Sequence, residues 1–170
     1  MKNPGKLVAI LGCVVLAATV VSATANDRRD RQEVTRAVLL GVNETPSIAT
    51  PAIGKFRAVI DEDSSLITFT LSYEGLTAAP TVAHIHLGQR HTAGGVMVFL
   101  CGGGGQPACP ASPAEITGSI TPANVVGPTA QGITAGEFEK VLAAIRAGAA
   151  YANVHTPNFP GGEIRGQLSR

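Results

Sequence analysis

Eight short apolar or alternating runs recur between turn residues, at 37–42, 54–60, 66–73, 81–87, 96–100, 115–120, 151–156 and 162–168, and this recurrence restricts the fold more than any other feature. Runs of this length and spacing read as strands, and eight of them predict an all-β, antiparallel, Greek-key-like β-sandwich. The clearest run is 66–73. Ile67, Phe69, Leu71 and Tyr73 fall on one face and Thr68, Thr70 and Ser72 on the other, the pattern of a strand with one buried and one wet face. One segment breaks the period. Thr134 and Glu137 have capping-box spacing, Phe138, Val141, Leu142 and Ile145 form an apolar stripe, and Gly148 supplies a stop, which together predict one short α-helix covering the sandwich. The stripe is used up by packing, so the helix is structural. Segments 102–113 and 121–132, rich in Gly and Pro, read as long surface loops.

A chain of 170 residues holds one domain of this kind. Its first residues stand apart. Lys2 and Lys6 precede an apolar run over 7–21 that ends in Ala23-Thr24-Ala25, the order of a signal peptide over 1–25. A polar, flexible lead-in over 26–35 and a domain over 36–170 follow. Two alternatives attach to the first segment: left uncleaved, it is long enough to anchor the chain in a membrane, and Leu11-Gly12-Cys13 has the shape of a lipid-attachment site, though the apolar run before Cys13 is short for that role. Cleavage predicts a secreted or periplasmic protein with no membrane association afterwards. Of 13 Lys and Arg, losing Lys2 and Lys6 leaves 11 against 12 Asp and Glu. With no Trp and only the mixed run 27–31 rich in Arg, the chain lacks the basic footprint of a nucleic-acid binder.

Export gives meaning to the cysteines, because an oxidising compartment favours disulfides. Cys101 and Cys109 bracket four consecutive glycines, and a bridge between them would staple a loop too flexible to order itself. The alternative is thiolate ligation of a metal, which for a structural zinc site would call for further Cys or a nearby His pair.

Three of the four histidines fall in two of the predicted strands. On a strand, His84 and His86 share one face while Ala83, Ile85 and Leu87 take the other; by the same rule Tyr151, Asn153 and His155 share a face. If the two strands are neighbours, three imidazoles converge, a way to hold copper or zinc with an open position. The same imidazoles could instead hydrogen-bond to Asn153, Thr156 or Glu163 on a polar sheet face. His91, five residues past His86 in a loop, is a candidate fourth ligand or a solvated side chain. In the last run Glu163, Arg165 and Gln167 share a face. Glu163 and Asn153 are candidates for outer contacts that orient a ligand His, and Arg165 is the candidate catalytic residue, attracting an anion to the open position; a cross-strand ion pair or hydrogen-bond ladder is the alternative. No Gly-x-Ser-x-Gly, Walker loop, Rossmann fingerprint or His-Glu-x-x-His is present.

Three stretches together, Leu39-Leu40-Gly41-Val42-Asn43-Glu44-Thr45-Pro46, Ala83-His84-Ile85-His86-Leu87-Gly88, and Tyr151-Ala152-Asn153-Val154-His155-Thr156 with Gly161-Gly162-Glu163-Ile164-Arg165-Gly166-Gln167, resemble the CHRD domain, named after chordin, from residue 36 to 168. The resemblance implies an exported single-domain protein, as bacterial members typically are. In chordin these domains accompany growth-factor-binding modules, which implies an extracellular protein partner. His91 falls where the family carries small residues. The His-x-His strand followed by Gly is also similar to the copper strand of copper-zinc superoxide dismutases; the chain lacks their long metal-binding loop and bridging His, so this likeness implies copper and not a zinc subsite. Two functions follow as expectations: a single copper held by His84, His86 and His155, with superoxide dismutase activity toward a small anion, or a non-catalytic interaction module with a hydrogen-bonded polar sheet face.

Overall fold

The computed structural model describes residues 32–170. The expected signal peptide, the anchoring and Cys13 lipidation alternatives and most of the lead-in lie outside the described residues. The strands are β1 Glu33–Leu40, β2 Ile53–Asp61, β3 Leu66–Glu74, β4 Val82–Leu87, β5 Val96–Cys101, β6 Ala114–Ile120, β7 Ala150–His155 and β8 Ile164–Gln167. Each of the eight predicted runs overlaps one. Glu33, Val34 and Thr35, expected in the lead-in, belong to β1 instead. Thr35 is fully buried with its hydroxyl donating to Ser169 O at 3.0 Å, and Glu33 pairs with Arg146 and Arg170, contacts that a local reading of these residues cannot reveal.

All pairings are antiparallel, in the order β5-β4-β7-β8-β1-β2-β3-β6. The middle of that order is thin: β8 and β1 share one paired position, Leu40 with Arg165, supplemented by a bridge between Arg36 and Ser169. Two four-stranded halves therefore hinge on this seam, and their inward side chains, among them Phe56, Ile67 and Leu71 from one half and Ile85, Val154 and Ile164 from the other, merge in one apolar cluster. The far ends of the order are joined by loop 102–113. Cys101 at the end of β5 is disulfide-bonded to Cys109 with Cα atoms 5.0 Å apart, Gln106 donates to Ser119 O on β6 at 3.5 Å, and Tyr73 on β3 donates to Pro110 O at 2.6 Å. The result is nearly a barrel. The disulfide also removes both thiols as metal ligands.

In β3 the expected alternation holds, with Ile67, Phe69, Leu71 and Tyr73 buried. Each such fully buried apolar side chain contributes roughly 1.5–3 kcal/mol. The helix, α1, spans Phe138–Arg146 and buries Phe138, Val141, Leu142 and Ile145. It starts later than its capping-box spacing predicts. Glu137 does accept from the Thr134 backbone N–H at 2.7 Å, but Gly136 between them has φ +87°, a left-handed turn that an α-helix cannot contain, so the box closes a turn ahead of the helix. Among the described residues no helix is long and apolar enough to cross a membrane.

The half that positions the site is β5-β4-β7-β8. Ala83, Ile85, Ala150, Ala152 and Val154 turn into the core, yet every residue of β7 is buried. Its other face, carrying polar side chains, is closed off from water by segments 41–50, 88–95 and 156–163, which bring Glu44, Gln89, Gly94 and Pro160 against it.

Candidate metal centre

β4 and β7 are hydrogen-bonded neighbours in the register Val82 to His155, His84 to Asn153 and His86 to Tyr151. Two-residue periodicity then sets His84, His86, Tyr151, Asn153 and His155 on the face away from the core. His84 Nδ1 lies 3.2 Å from His155 Nε2, and one ring nitrogen from each of His84, His86 and His155 lies within 4.8 Å of the others. Three points so spaced share a centre no more than about 2.8 Å away, against the 2.0–2.1 Å of a metal–imidazole bond, so small side-chain rotations close the site. The three residues are only 7–8% exposed.

Backbone carbonyls fix two of the rings. A carbonyl only accepts, so His86 Nδ1 donates to Gly94 O at 2.9 Å and His155 Nδ1 donates to Pro160 O at 3.0 Å. Both rings are thereby committed to presenting an unprotonated Nε2. His86 Nε2 is buried and has no hydrogen-bond partner, while His155 Nε2 accepts from His84 Nδ1. Moving the single proton of His84 to its Nε2 frees the third lone pair, so the donor set is His84 Nδ1, His86 Nε2 and His155 Nε2. Burial, then repulsion from the neighbouring imidazoles, pushes His84 down to about 3. Burial likewise takes His86 down to about 4, against the opposing hydrogen bond to Gly94. His155 is lowered by burial, opposed by its bond to Pro160. All three are neutral near pH 7, which is the ligand form of imidazole.

Gly94 makes the first carbonyl contact possible: a Cβ at that position would collide with Leu87 O, so only glycine brings this segment against β4. Tyr151 lies parallel to His86, with 4.7 Å between ring centroids and 2° between planes, and its hydroxyl accepts from Gly94 N at 3.1 Å. Phe99 meets His84 edge to face at 4.6 Å. Arg165, 3% exposed, sets its guanidinium carbon 3.4 Å from the Tyr151 ring centre and donates to Gln89 O at 3.0 Å. The strand order β4-β7-β8 puts Tyr151 between the imidazole and the guanidinium.

The structure brings together the three strand histidines and leaves out His91. That residue is exposed, with φ +61° in the turn after β4, and takes no part in the cluster. The Asn153 amide donates to Glu44 Oε1 at 2.5 Å and to Ile164 O at 3.1 Å, not to an imidazole. Glu163, fully buried, accepts from Thr50 Oγ1 at 2.9 Å, Thr77 N at 2.9 Å, Thr77 Oγ1 at 3.0 Å and Thr156 Oγ1 at 2.7 Å. Burial pushes its carboxyl up, but these bonds outweigh it and hold the group below the usual carboxylate range. Glu163 thus ties three loops together, and the orienting of imidazoles expected of it and of Asn153 is done by the carbonyls of Gly94 and Pro160. Glu44 is a residue that the sequence reading passes over. Burial raises its carboxyl to about 7 against the Asn153 hydrogen bond and the Arg165 charge. It fits beside Asn153 because Gly162, at φ +126°, leaves no Cβ in the way. Nothing local marks Glu44 as buried, since it follows a strand in a polar turn; Tyr151 was legible only as a residue sharing a face with His155.

Comparison with known families agrees with this arrangement. The model of the family described as the CHRD domain matches residues 35–168, which takes in every strand but the first two residues of β1, together with all three imidazoles. No curated protein and no solved structure matches the chain. The chain belongs to the CHRD-domain family.

Proposed function

We propose that this CHRD-domain protein is exported and holds one copper ion through His84 Nδ1, His86 Nε2 and His155 Nε2, and that the centre serves the dismutation of superoxide. The observation that carries the reading is the buried His86 Nε2 without a partner, in a cluster where the two Nδ1–H groups of His86 and His155 are spent on carbonyls. An orphaned acceptor in a dry site costs stability unless something fills it. Imidazole nitrogens suit copper and zinc, and copper alone of the two supplies one-electron chemistry. Around it the chain's own residues have separate tasks: Gly94 and Pro160 fix the ring tautomers, Phe99 and Tyr151 wall the site, and Arg165 adds a fixed positive charge behind Tyr151 that favours approach of a small anion. Export is supported by the Cys101–Cys109 disulfide.

Purified metal-free protein titrated with Cu(II), Cu(I) and Zn(II) tests this. One equivalent of copper is taken up, uptake is lost in His84→Gln and His86→Gln, and the loaded protein accelerates superoxide decay. No stoichiometric uptake, or uptake indifferent to both substitutions, ends the copper reading. A second reading has its own observation: the 3.2 Å hydrogen bond between His84 and His155 satisfies two of the rings without any metal. On that reading the chain is a non-catalytic extracellular interaction module, His86→Gln lowers the melting temperature, and added metal changes neither form.

A further inference from the structure

The charge around the cluster says more than that copper fits. All three donors are imidazole nitrogens, uncharged as ligands, and no carboxylate hydrogen bond to any of the three rings is found among the described residues: the carbonyls of Gly94 and Pro160 occupy the places where a carboxylate would lend negative charge. The two buried carboxylates near this face are otherwise engaged, Glu44 with Asn153 and Glu163 with three threonines. The full charge stacked against the cluster through Tyr151 has the opposite sign. Arg165 is buried, pinned by Gln89 O, and stacked on the ring that itself lies flat on His86. In a site only 7–8% exposed, each added unit of positive charge is poorly solvated and repelled by that guanidinium.

Resting on the copper reading above, we infer that the centre is selective for the monocation: it binds Cu(I) in preference to Cu(II) and to Zn(II), and Arg165, acting through Tyr151, is the positioning residue that sets this preference. Three neutral nitrogens, with no fourth His, Cys, Asp or Glu joining them among the described residues, suit the low coordination number of Cu(I). Aromatic walls on two sides, Phe99 against His84 and Tyr151 against His86, restrict the extra ligands a divalent ion would recruit.

The experiment is a pair of competition titrations of the full folded protein, Cu(I) against bicinchoninate without oxygen and Cu(II) against nitrilotriacetate, on wild type, Arg165→Gln and Arg165→Lys. The expected result is Cu(I) held at least a hundredfold more tightly than Cu(II), a ratio that Arg165→Gln narrows at least tenfold through tighter Cu(II) binding and that Arg165→Lys largely keeps. The midpoint potential of the copper couple falls in Arg165→Gln, which mere loosening of the fold would not produce with both affinities declining together. Equal or tighter Cu(II) binding in wild type overturns the inference while leaving the copper centre standing, and needs no variant to fold. A ratio unchanged in Arg165→Gln overturns the role of Arg165. Uptake of neither ion overturns the copper reading itself, and this inference with it.

Discussion

Replacing Glu163 by Gln changes one atom of a fully buried side chain and removes its charge. The carboxylate accepts four hydrogen bonds, and the donors differ in what they tolerate. The backbone N–H of Thr77 can only donate, so the amide oxygen must take the Oε1 position, facing Thr77 N and Thr50 Oγ1. The amide nitrogen then points at the hydroxyls of Thr77 and Thr156, which must turn to accept from it. Those hydroxyls already accept, from Asn158 Nδ2 at 3.2 Å and from Phe159 N at 3.3 Å. A bond to a charged group contributes about 1.5–3 kcal/mol and a neutral one about 1, so two weakened bonds and two inverted ones amount to a loss of roughly 2–4 kcal/mol at pH 7. The loss also has a pH signature. A carboxyl held below its unfolded value of 4.5 stabilises the fold above that pH, and the contribution disappears as the pH falls through the folded pKa. The gap between wild type and Glu163→Gln is therefore full at pH 7 and narrows below pH 4.5. Urea denaturation of both proteins at pH 7.0 and 3.5 measures it, and the histidine titrations common to both cancel in the difference. A gap under about 0.5 kcal/mol at pH 7, or one of equal size at both pH values, refutes the account of Glu163 as a charged knot among threonines.

Other outcomes follow from the same structure. Folded His84 and His86 sit at about 3 and about 4, below the ordinary 6.5, so the unfolded chain binds more protons below pH 6.5 and the fold loses stability as the pH is lowered; the slope approaches about 1.4 kcal/mol per pH unit for each ring, a loss of about 1.6 kcal/mol each between pH 6.5 and 5.0, and chemical denaturation of His84→Gln/His86→Gln shows it flattened. Converting Cys101 and Cys109 together to Ser opens a loop with a sequence separation of 8 and costs about 2.5 kcal/mol by the loop-entropy relation, read as a lower urea midpoint with an increased m-value. Arg36 and Arg57 stand directly opposite each other on β1 and β2 with exposed side chains, so Arg57→Glu raises stability by about 0.5–1 kcal/mol in low salt, and the gain shrinks in 1 M NaCl.

Local pattern carried most of the fold. The alternation 66–73 and the apolar stripe of α1 survive unchanged because each depends only on neighbours within a few residues. The start of β1 was not legible, since Thr35 and Glu33 look like solvated residues until Ser169, Arg146 and Arg170 arrive from the other end of the chain. Placing His84 and His86 on one face likewise needed only strand geometry. That β4 and β7 pair is a matter of topology, and that pairing turns two half-sites into one. What loops contribute was out of reach: the carbonyls of Gly94 and Pro160 leave no trace in side-chain chemistry, and a backbone oxygen there displaced the carboxylate that a reading of residue types prefers.

The two ends of the strand order are guarded in different ways. Val98 is bridged to Val125 and Met97 O accepts from Val126 at 2.9 Å, so the outer rim of β5 is taken, while β6 meets Gln106 of the stapled loop and presents the charge of Glu115. An occupied edge and an edge that carries an exposed charge each offer a stray strand a poorer template than bare backbone. The rim of β5 is therefore closed to strand addition, whereas at the other margin pairing with a second copy is discouraged by the charge of Glu115 and the contact of Gln106.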